Sequence, residues 1–511
     1  MRSHLLLGID LGTTRIKVAA FDPQGHQVVS CGEPGRLREL HPGRVEQPIE
    51  DIRAAADAAI QAVTSALGTR AADIAAIGVT GQMGGITAVD SGGHVLMPYD
   101  SPLDLRCAPY FERHMLPHLA TILATTGACP EWGQKLLYWR DEHPALWDRI
   151  ARFTTLAGLY AAELVGLPAD QAFADPTYAA LSGLWSGGHE WDPHLCDLVR
   201  LSADKLPRLV PSNTIVGMLR PERGAILGLP AEVPVVAGTG DGMASLLGAG
   251  AVTGGLLFDL SGTASVLAAC SEQFVPDPDA GIVNCMPSAL GQGWYLTHSL
   301  FGGQAVRWFA EQFPPNGQAA PDLGGLWDER AATFDEGSAP VPLFFVPHLG
   351  GRRHPPRPAA RGGWLGLTWG TRPEHLYLAI LESIAYDFVQ ARDRMRTLLP
   401  NWEPTEVQVL GGGARSALWN QVKADILGLP IRPLKDVEFG ARGVALVAGE
   451  AAGIVHDIRA TAMQVEAEAP VLPRPGQHQR RERGLRAYRI LDEEVERLFT
   501  RLEEDALSDS S

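Results

Sequence analysis

Hydrophobic runs separated by short polar turns divide the chain into predicted strands and helices. An apolar run over Leu5–Ile9 and an alternating run over Ile16–Ala20 predict two strands joined by a tight loop. A third strand is expected around Gln27–Ser30, so that three antiparallel strands open the first domain. Apolar residues at helical spacing then predict a helix over Glu50–Leu67, and Ile74–Val79 is typical of a short buried strand.

The loop between the first two strands has the composition of a phosphate-binding turn. Gly12 lets a ligand come close to the backbone, and the N–H and hydroxyl groups of Thr13 and Thr14 would point into one concavity. Asp10 ends the strand beside this loop, where its charge would repel a phosphate unless a divalent cation lay between them. We therefore expect Mg²⁺ at Asp10. Taken alone, the motif is explained equally well as an ordinary hairpin turn.

The second half of the chain repeats this strand–loop–strand pattern. In the segment Gly255–Ala269, Asp259-Leu260 corresponds to Asp10-Leu11, and Gly262-Thr263 corresponds to the Gly-Thr pair of the first loop. Two similar domains are implied, and each would offer one phosphate loop to a ligand held between them.

The boundary between the two domains is expected in the glycine-rich segment Gly248–Gly254, which can also act as a hinge. We assign residues 1–249 to an N-terminal domain. Residues 250–475 form a C-terminal domain, and residues 476–511 form a charged helical tail.

Two further strand ends carry polar residues at positions where α/β sheets collect ligands. The loop after Ile74–Val79 contains Gln82 and Met83, which we expect to form the floor of a substrate site, with a simple tight turn as the alternative. The strand Val233–Ala237 leads to Asp241, a lone carboxylate among glycines. Packing does not require an aspartate there, so a chemical role is favoured over capping of the next helix.

A third glycine cluster, Gly411–Gly413, follows the predicted strand Val407–Leu410 and precedes a helix that opens with Ser416. Three consecutive glycines allow close approach of a planar or phosphorylated ligand, and the spacing is not that of a G-x-G-x-x-G dinucleotide motif. We interpret this loop as the adenosine end of a nucleotide site. Asn420 would reach a base edge, with a solvated helix face as the alternative, and a helix over Gly440–Gly449 would supply a wall.

Composition limits what these loops can bind. The chain has 511 residues, which is too long for one core, and 45% of them are hydrophobic. A formal net charge of -16 without a dense basic block argues against nucleic acid as a partner. The six cysteines are scattered, which favours reduced thiols and a cytoplasmic location. We expect no signal peptide before the first strand and no membrane-spanning segment.

Five segments together resemble the FGGY family of carbohydrate kinases. Four of them are LLLGIDLGTTRIKVAAFD at the start of the chain, PVVAGTGDG at Pro234–Gly242, DLSGTASV, and VLGGGARSALWNQV. The fifth, GGWLGLTWGTRPEHLYLAILE at Gly362–Glu382, fits the C-terminal signature of the family at every constrained position. A second signature around Lys135 is kept only in part, because Trp132 and Tyr138 replace the residues usual there.

The resemblance implies an α/β fold of two actin-like (ribonuclease H-like) domains with a catalytic cleft between them, in which Mg²⁺ and ATP are bound. It also implies that residues 1–249 bind the sugar and carry the catalytic base, and that residues 250–475 bind ATP. Asp241 matches the general base of the family and Asp10 its acidic residue in the first phosphate loop, and we assign both to the metal site as well. The reaction would be in-line transfer of the γ-phosphoryl group of ATP to a sugar hydroxyl. The residues expected to bind ATP are Gly12, Thr13, Thr14, Lys17, Ser261, Gly262, Thr263, Gly411, Gly412, Gly413, Ala414 and Asn420.

The resemblance constrains the acceptor sugar less tightly. The loop Gly81–Ile86 is most similar to that of the xylulose-phosphorylating members, although Met83-Gly84-Gly85 stands where they have Met-His-Gly. Asp104 and Arg106 match the sugar-contacting Asp-x-Arg of the family. We expect a ketose, D-xylulose for preference, and leave ribulose, sedoheptulose, erythritol and glycerol-like acceptors open. The predicted substrate contacts are Gln82, Met83, Asp104, Arg106 and Asp241.

A function from a different class is an actin-like ATPase that lacks sugar kinase activity. Asp241 separates the two hypotheses, because a base beside a polar cleft has no purpose in a filament subunit. The expected partners are therefore a small sugar or polyol and ATP, with no nucleic acid and no membrane. A homodimer is left open.

Overall fold

The chain is described by a computed structural model over residues 4–41, 43–315, 323–333, 343–358, 360–435 and 437–508. Within these ranges it forms two six-stranded mixed sheets with helices packed on their faces. The predicted two-domain α/β architecture is confirmed. Residues 1–3, which bear on the expectation about a signal peptide, and residues 509–511 of the predicted tail lie outside the described residues.

The first half of the chain supplies one sheet and its covering elements. Its strands are β1 (Leu5–Leu11), β2 (Arg15–Phe21), β3 (Gln27–Pro34), β4 (Arg38–His41), β5 (Arg44–Gln47), β6 (Ile74–Gly81), β7 (Thr87–Val89), β8 (Tyr99–Asp100), β9 (Arg152–Thr154), β10 (Phe173–Ala174), β11 (Arg208–Leu209), β12 (Ile215–Met218) and β13 (Pro234–Val236). Its helices are α1 (Ile49–Leu67), α2 (Ala108–Tyr110), α3 (Leu119–Thr126), α4 (Gly133–Glu142), α5 (Pro144–Arg149), α6 (Leu156–Val165), α7 (Pro176–Ala180), α8 (Pro193–Leu198), α9 (Pro221–Leu227) and α10 (Asp241–Gly248).

The second half supplies the other sheet and the C-terminal helices. Its strands are β14 (Leu257–Ser261), β15 (Ser265–Ser271), β16 (Asn284–Pro287), β17 (Trp294–Leu300), β18 (Phe344–Val346), β19 (Gly363–Leu365), β20 (Val407–Leu410) and β21 (Ile431–Pro433). Its helices are α11 (Gly302–Gln312), α12 (Leu323–Ala332), α13 (Pro373–Leu398), α14 (Ala417–Leu427), α15 (Phe439–Ala451), α16 (Ile458–Ala462) and α17 (Gln477–Ser508).

Five strands of each sheet share one topology, whereas the sixth lies at opposite edges, with β12 beside β13 and β16 beside β17. The first runs β12-β13-β6-β1-β2-β3, and the second runs β16-β17-β15-β14-β20-β21. β1 pairs antiparallel with β2 and parallel with β6, and β14 pairs in the same way with β15 and β20. The internal repeat predicted from the sequence is therefore a repeat of strand order as well.

Helix α15 belongs to the C-terminal half of the sequence but packs on the sheet of the first half. A Cβ built on Gly8 of β1 would lie 1.9 Å from the carbonyl oxygen of Ala441 in α15. One built on Gly78 of β6 would lie 2.2 Å from the carbonyl oxygen of Val444. Glycine is needed at both positions for this close approach. α15 thus connects the two halves of the chain, and the domain division at residue 249 stays a prediction.

Alternation along β1 places its side chains in two different cores. Leu5, Leu7 and Ile9 pack in the core that contains α1, whereas Leu6 packs against α15 on the opposite face. Burial on both faces explains why this strand is apolar almost throughout. None of the helices in the described ranges has the length and apolarity needed to cross a membrane.

Candidate active site

A cleft of about 700 Å³ collects the loops that the sequence singled out. The first half of the chain contributes the β1–β2 loop, the residues after β6 and the start of α10, and the second half contributes the β14–β15 loop and the residues after β20. Residues of both repeats therefore meet in one site. The predicted residues that line it are Asp10, Gly12, Thr13, Thr14, Lys17, Gln82, Met83, Asp241, Gly262, Thr263, Gly411 and Gly412.

The first phosphate loop is held in place by two buried glutamines. The Thr13 hydroxyl donates to the side-chain oxygen of Gln82 over 3.1 Å, and the Gln47 amide donates to the Thr13 carbonyl oxygen over 3.2 Å. Gln82 also donates to Gln47, which closes the network. Gln82 therefore orients the loop in addition to lining the cleft. Gln47 was missed from the sequence because it lies in β5, far from any glycine-rich motif.

Asp241 is positioned by a chain turn that only glycine allows. Gly238 has a φ of +76°, and a Cβ there would lie 1.7 Å from the carbonyl oxygen of Val79. A Cβ on Gly240 would lie 2.4 Å from the sulfur of Met83. The chain can therefore pass tightly over the end of β6 before α10 begins at Asp241.

Hydrogen bonds around this turn fix the carboxylate further. Asp241 accepts from the N–H of Gly242 over 2.7 Å, and the N-cap position of α10 is Gly240, so capping is not the role of the aspartate. The Gly240 N–H donates to the Thr177 hydroxyl over 2.8 Å, and Thr177 is in turn bonded to Asp175. No pattern in the sequence predicted this contact between α7 and the turn before Asp241.

Both carboxylates in the cleft have raised pKa values. Burial raises the pKa of Asp241 to about 7, and the charge of Asp10 adds to the rise. Burial likewise raises the pKa of Asp10 to about 6, while the ammonium group of Lys17 opposes the rise. Lys17 lies 2.6 Å from Glu438, at the start of α15, and lines the cleft beside Asp10. Strong perturbation of two neighbouring acids is typical of a functional site.

The arrangement fits a divalent cation bound together with a phosphorylated ligand. Oδ1 of Asp10 is buried and has no hydrogen-bond partner among the described residues, so it is free to bind a ligand from the cleft. No cluster of three or more His, Cys, Asp or Glu side chains suited to a metal occurs in the described parts of the chain. Mg²⁺ commonly binds through one or two carboxylates, with phosphate oxygens and water completing its shell, and Asp10 with Asp241 meets that pattern.

The second phosphate loop differs from the first at its aspartate. Gly262 and Thr263 line the cleft, but Asp259 is fully buried and forms an ion pair with Lys423. Leu260, not Asp259, occupies the cleft-facing position, so the predicted correspondence of Asp259 with Asp10 is wrong in space. The Ser261 hydroxyl donates to Asp259 over 2.9 Å and does not line the cleft, so a contact of Ser261 with ATP stays a prediction.

The glycine cluster presents Gly411 and Gly412 to the cleft, while Gly413 and Ala414 lie outside its lining. Asn420 is buried, and its amide donates to the Ala414 carbonyl oxygen over 2.8 Å. The alternative that Asn420 lies on a solvated helix face is therefore wrong. Asn420 instead stabilises the glycine loop through its bond to Ala414, outside the lining of the cleft. Its contact with a base stays a prediction. Gly440, at the start of the helix expected to supply a wall, lines the cleft, and a Cβ built there would lie 2.6 Å from Oδ2 of Asp10. A role of this helix in an adenosine site stays a prediction.

Asp104 and Arg106 lie outside the main cleft. Asp104 accepts from the N–H of Val45 over 2.8 Å and lines a second, smaller cavity beside the cleft. Arg106 donates to both Asp104 and Glu46, and its guanidinium lies 5.8 Å from the centre of the Trp139 ring. Arg106 therefore positions Asp104, and direct contact of either residue with a sugar stays a prediction.

Two charged residues at the cleft were not singled out from the sequence. Glu131 of the first half and Arg353 of the second half form an ion pair, and both line the cleft. Each stands alone in its segment, so nothing in the local sequence indicated that they meet. A Cβ built on Gly84 would lie 2.5 Å from a Glu131 oxygen, so a side chain at residue 84 would displace that carboxylate.

Two nucleotide-type loops from a repeated α/β unit, with a perturbed carboxylate between them, define a phosphotransferase class of protein. Comparison with known families narrows this class. Residues 5–248 match the N-terminal domain of the FGGY family of carbohydrate kinases, and residues 260–452 match its C-terminal domain. The chain belongs to this family, so it is an ATP-using sugar kinase.

Relatives with different acceptors are similar to the chain at nearly equal levels. Xylulose kinase of Escherichia coli (strain K12) is 29% identical over 98% of this chain and 99% of its own length. Glycerol kinase of Trichlorobacter lovleyi is also 29% identical, over 92% of this chain and 95% of its own length. Sequence identity alone therefore does not determine which acceptor this protein phosphorylates.

Solved structures share the whole fold. Ligand-bound xylulose kinase from Lactobacillus acidophilus superposes with a TM-score of 0.85 at 22% identity, covering 98% of this chain and 100% of its own. Plasmodium falciparum glycerol kinase with ADP has a TM-score of 0.78 at 18% identity, covering 97% and 98%.

Proposed function

We propose that this kinase transfers the γ-phosphoryl group of ATP to a hydroxyl of a ketose, with D-xylulose preferred. The observation that carries the proposal is Asp241, a carboxylate with a raised pKa that lies at the start of α10, in the cleft lined by both halves of the chain. The preference for xylulose is supported by the similarity to xylulose kinases along nearly the full chain.

Asp241 acts as the general base. It accepts the proton of the attacking sugar hydroxyl as the hydroxyl oxygen bonds to the γ-phosphorus and the bond from that phosphorus to the bridging oxygen of ADP breaks. Met83 packs against Gly240 and holds the carboxylate next to the acceptor. Loops from both domains, represented by Thr13 and Thr263, hold the phosphate chain in line with that hydroxyl.

Asp10 and Asp241 would hold Mg²⁺, which supplies positive charge to neutralise the phosphate oxygens. Lys17 lies on the same side of the cleft and balances part of the negative charge that the two carboxylates create. The backbone N–H groups around Gly12 and Gly262 add oriented donors for phosphate oxygens.

A panel of ketoses and polyols tests the proposal directly. Sugar-dependent release of ADP is expected with D-xylulose giving the highest kcat/KM among D-xylulose, ribulose, sedoheptulose, erythritol and glycerol. A clear preference for another acceptor would reassign the substrate within the same kinase class. ATP hydrolysis that no sugar accelerates would favour the actin-like ATPase.

The pH profile of the reaction should follow Asp241. With its pKa raised to about 7 in the free enzyme, the carboxylate is protonated below that pH and cannot accept the hydroxyl proton. We expect kcat/KM for the sugar to rise with pH through about 7 and then level off. A profile that stays flat from pH 5 to pH 9 would contradict this role.

Asp10→Asn should raise the Mg²⁺ concentration needed for half-maximal activity and lower kcat without changing the order of sugar preference. The asparagine keeps the shape but removes the charge that attracts the cation. Titration of activity with MgCl₂ at saturating sugar measures the effect. An unchanged metal requirement with a collapse of sugar affinity would show that Asp10 contacts sugar instead.

Binding of both substrates should close the cleft. The phosphate loops belong to different halves of the chain, and the glycine-rich segment Gly248–Gly254 follows α10. The radius of gyration from small-angle scattering should therefore fall most in the complex with both sugar and a non-hydrolysable ATP analogue. Identical scattering of the free, ATP-analogue and ternary states would support a rigid cleft.

A cytoplasmic location is part of the same proposal. ATP is available there, and the six cysteines are all free thiols in the structure, as expected in a reducing compartment. The homodimer stays a prediction, which size-exclusion chromatography with light scattering would test.

A further inference from the structure

Asp175 is a buried carboxylate that does not line the cleft. It lies directly before α7, and within the described ranges it forms no ion pair with a Lys, Arg or His side chain. Burying a charge without an opposite charge is costly, and hydrogen bonds must compensate for it. Such a residue therefore needs a reason for its position.

Hydroxyl and amide donors surround this carboxylate. The Ser212 hydroxyl donates to Asp175 over 2.7 Å, the Thr177 hydroxyl over 2.9 Å, and the Thr177 N–H over 3.1 Å. Burial raises the pKa of Asp175 to about 6, and these bonds oppose the rise, so the group is ionised at pH 8. Capping of α7 explains only the bond from the Thr177 N–H.

The charge of Asp175 fixes the direction of the Thr177 hydroxyl. An ionised carboxylate only accepts hydrogen bonds, so the hydroxyl proton of Thr177 points towards Asp175. The lone pairs of the same oxygen are then left for the Gly240 N–H at 2.8 Å and the Thr239 hydroxyl at 3.0 Å. Asp175 thereby makes Thr177 an acceptor for the residue directly before Asp241.

Both partners of Asp175 contact the turn that leads to the cleft. Thr177 accepts from the Gly240 N–H, and the Ser212 carbonyl oxygen accepts from the Gly238 N–H over 3.0 Å. Glycines have the largest conformational freedom and no side chain that could pack, so hydrogen bonds to their backbone have to fix such a turn. Two of these bonds depend on residues that Asp175 orients.

We propose that Asp175 is a positioning residue for phosphoryl transfer, which acts through Thr177 and Gly240 to orient the Asp241 carboxylate towards the acceptor hydroxyl. The inference rests on the proposed role of Asp241 as general base and deepens it. Asp175 itself stays ionised and exchanges no proton with the substrate. Misplacing a reacting group by about 1 Å can lower the rate about 10²-fold, so a small movement of the turn would be costly.

Thr177→Val and Thr177→Ser test the bond to the turn. Valine keeps the shape of threonine but leaves the Gly240 N–H without its acceptor, whereas serine keeps the hydroxyl. At pH 8 we expect kcat and kcat/KM for the sugar to fall together by about 10- to 100-fold in Thr177→Val, because a positioned base acts in the transition state. Thr177→Ser should keep most of the activity. Equal losses in both variants would overturn the role of the hydroxyl.

Asp175→Asn tests the charge, and Thr87→Val is the matched control. An asparagine amide can donate to Thr177, which would turn the hydroxyl proton towards the Gly240 N–H, so a loss similar to that of Thr177→Val is expected. Thr87 is also fully buried and its hydroxyl donates to the Met97 carbonyl oxygen over 2.9 Å, away from the cleft. Thr87→Val should keep the wild-type kcat. Wild-type kcat in Asp175→Asn would overturn the proposal.

A double variant shows whether Thr177 acts through the base. Once Asp241→Asn has removed the base, its orientation no longer matters, and adding Thr177→Val should lower the remaining rate by less than about twofold. A further loss of about 10- to 100-fold in the double variant would mean that Thr177 acts elsewhere, and the inference would fail.

Hydrogen exchange separates this inference from the proposed function. If Asp241→Asn reacts at the wild-type rate, Asp241 is not the base and the proposed mechanism fails. Amide exchange of a peptide that spans residues 238–242, followed by mass spectrometry, still reports whether Asp175 fixes the turn. Exchange should be faster in Thr177→Val and Asp175→Asn than in the wild type and Thr87→Val. Equal exchange in all four proteins would overturn the inference.

Discussion

Asp241→Asn is expected to lower the rate of phosphoryl transfer by about 10²- to 10⁴-fold, the usual cost of losing a general base. Asparagine keeps the shape of the side chain and its bond from the Gly242 N–H, so the start of α10 is preserved. Because Asp241 is also assigned to the Mg²⁺ site, affinity for ATP should change little only when it is measured without both sugar and Mg²⁺. Single-turnover measurement at saturating D-xylulose gives the rate, and activity close to the wild type would show that Asp241 is not the general base.

A stability measurement distinguishes loss of the general base from damage to the fold as the cause of the lower rate. In the folded state the pKa of Asp241 is raised from 3.8 to about 7. Binding of a proton to this carboxylate therefore stabilises the folded protein fully below pH 3.8, and this stabilisation is lost as the pH rises through about 7. Asparagine has no such titration. At pH 8 the variant should be more stable than the wild type by up to about 4 kcal/mol, and the gain should shrink at pH 5. A destabilised variant at pH 8 would point to a structural cause.

The opening strands and the main loops could be predicted because each carries a local signal. Apolar periodicity marks β1 and α1, and glycines mark the loops around Gly12 and Gly411, where the backbone must approach a ligand. The position of α15 on the first sheet was not predicted, since its apolar pattern indicates burial without indicating against which sheet. In the first sheet, Gly8 and Gly78 are the residues whose lack of a side chain allows α15 to pack there.

The internal repeat led to one wrong prediction, the correspondence of Asp259 with Asp10, and strand geometry explains the error. Asp10 precedes Gly12 by two residues, but Asp259 precedes Gly262 by three, because Ser261 is an additional residue. Side chains alternate along a strand, so one additional residue turns Asp259 to the opposite face. The supporting residues Gln47 and Thr177 were missed for a different reason. They reach the site from distant segments, and no local spacing records such contacts.

Lys423→Met is expected to destabilise the protein by about 3 to 5 kcal/mol, because it leaves the Asp259 charge buried without a partner. Both side chains are fully buried. The ammonium group of Lys423 also donates to the Ser261 hydroxyl over 2.8 Å and lies 4.1 Å from the centre of the Trp419 ring, so the substitution removes these two contacts together with the ion pair. Urea denaturation followed by tryptophan fluorescence measures the loss.

The double variant Lys423→Met with Asp259→Val distinguishes an uncompensated charge from a packing defect. If the buried charge is the cause, removing both partners should recover most of the lost stability, because apolar replacements of a buried ion pair are often neutral or stabilising. If Lys423→Met creates a cavity or strain instead, the second substitution adds its own cost and the double variant is the less stable of the two. Since Asp259 faces away from the cleft, we expect the double variant to keep KM for ATP near the wild-type value.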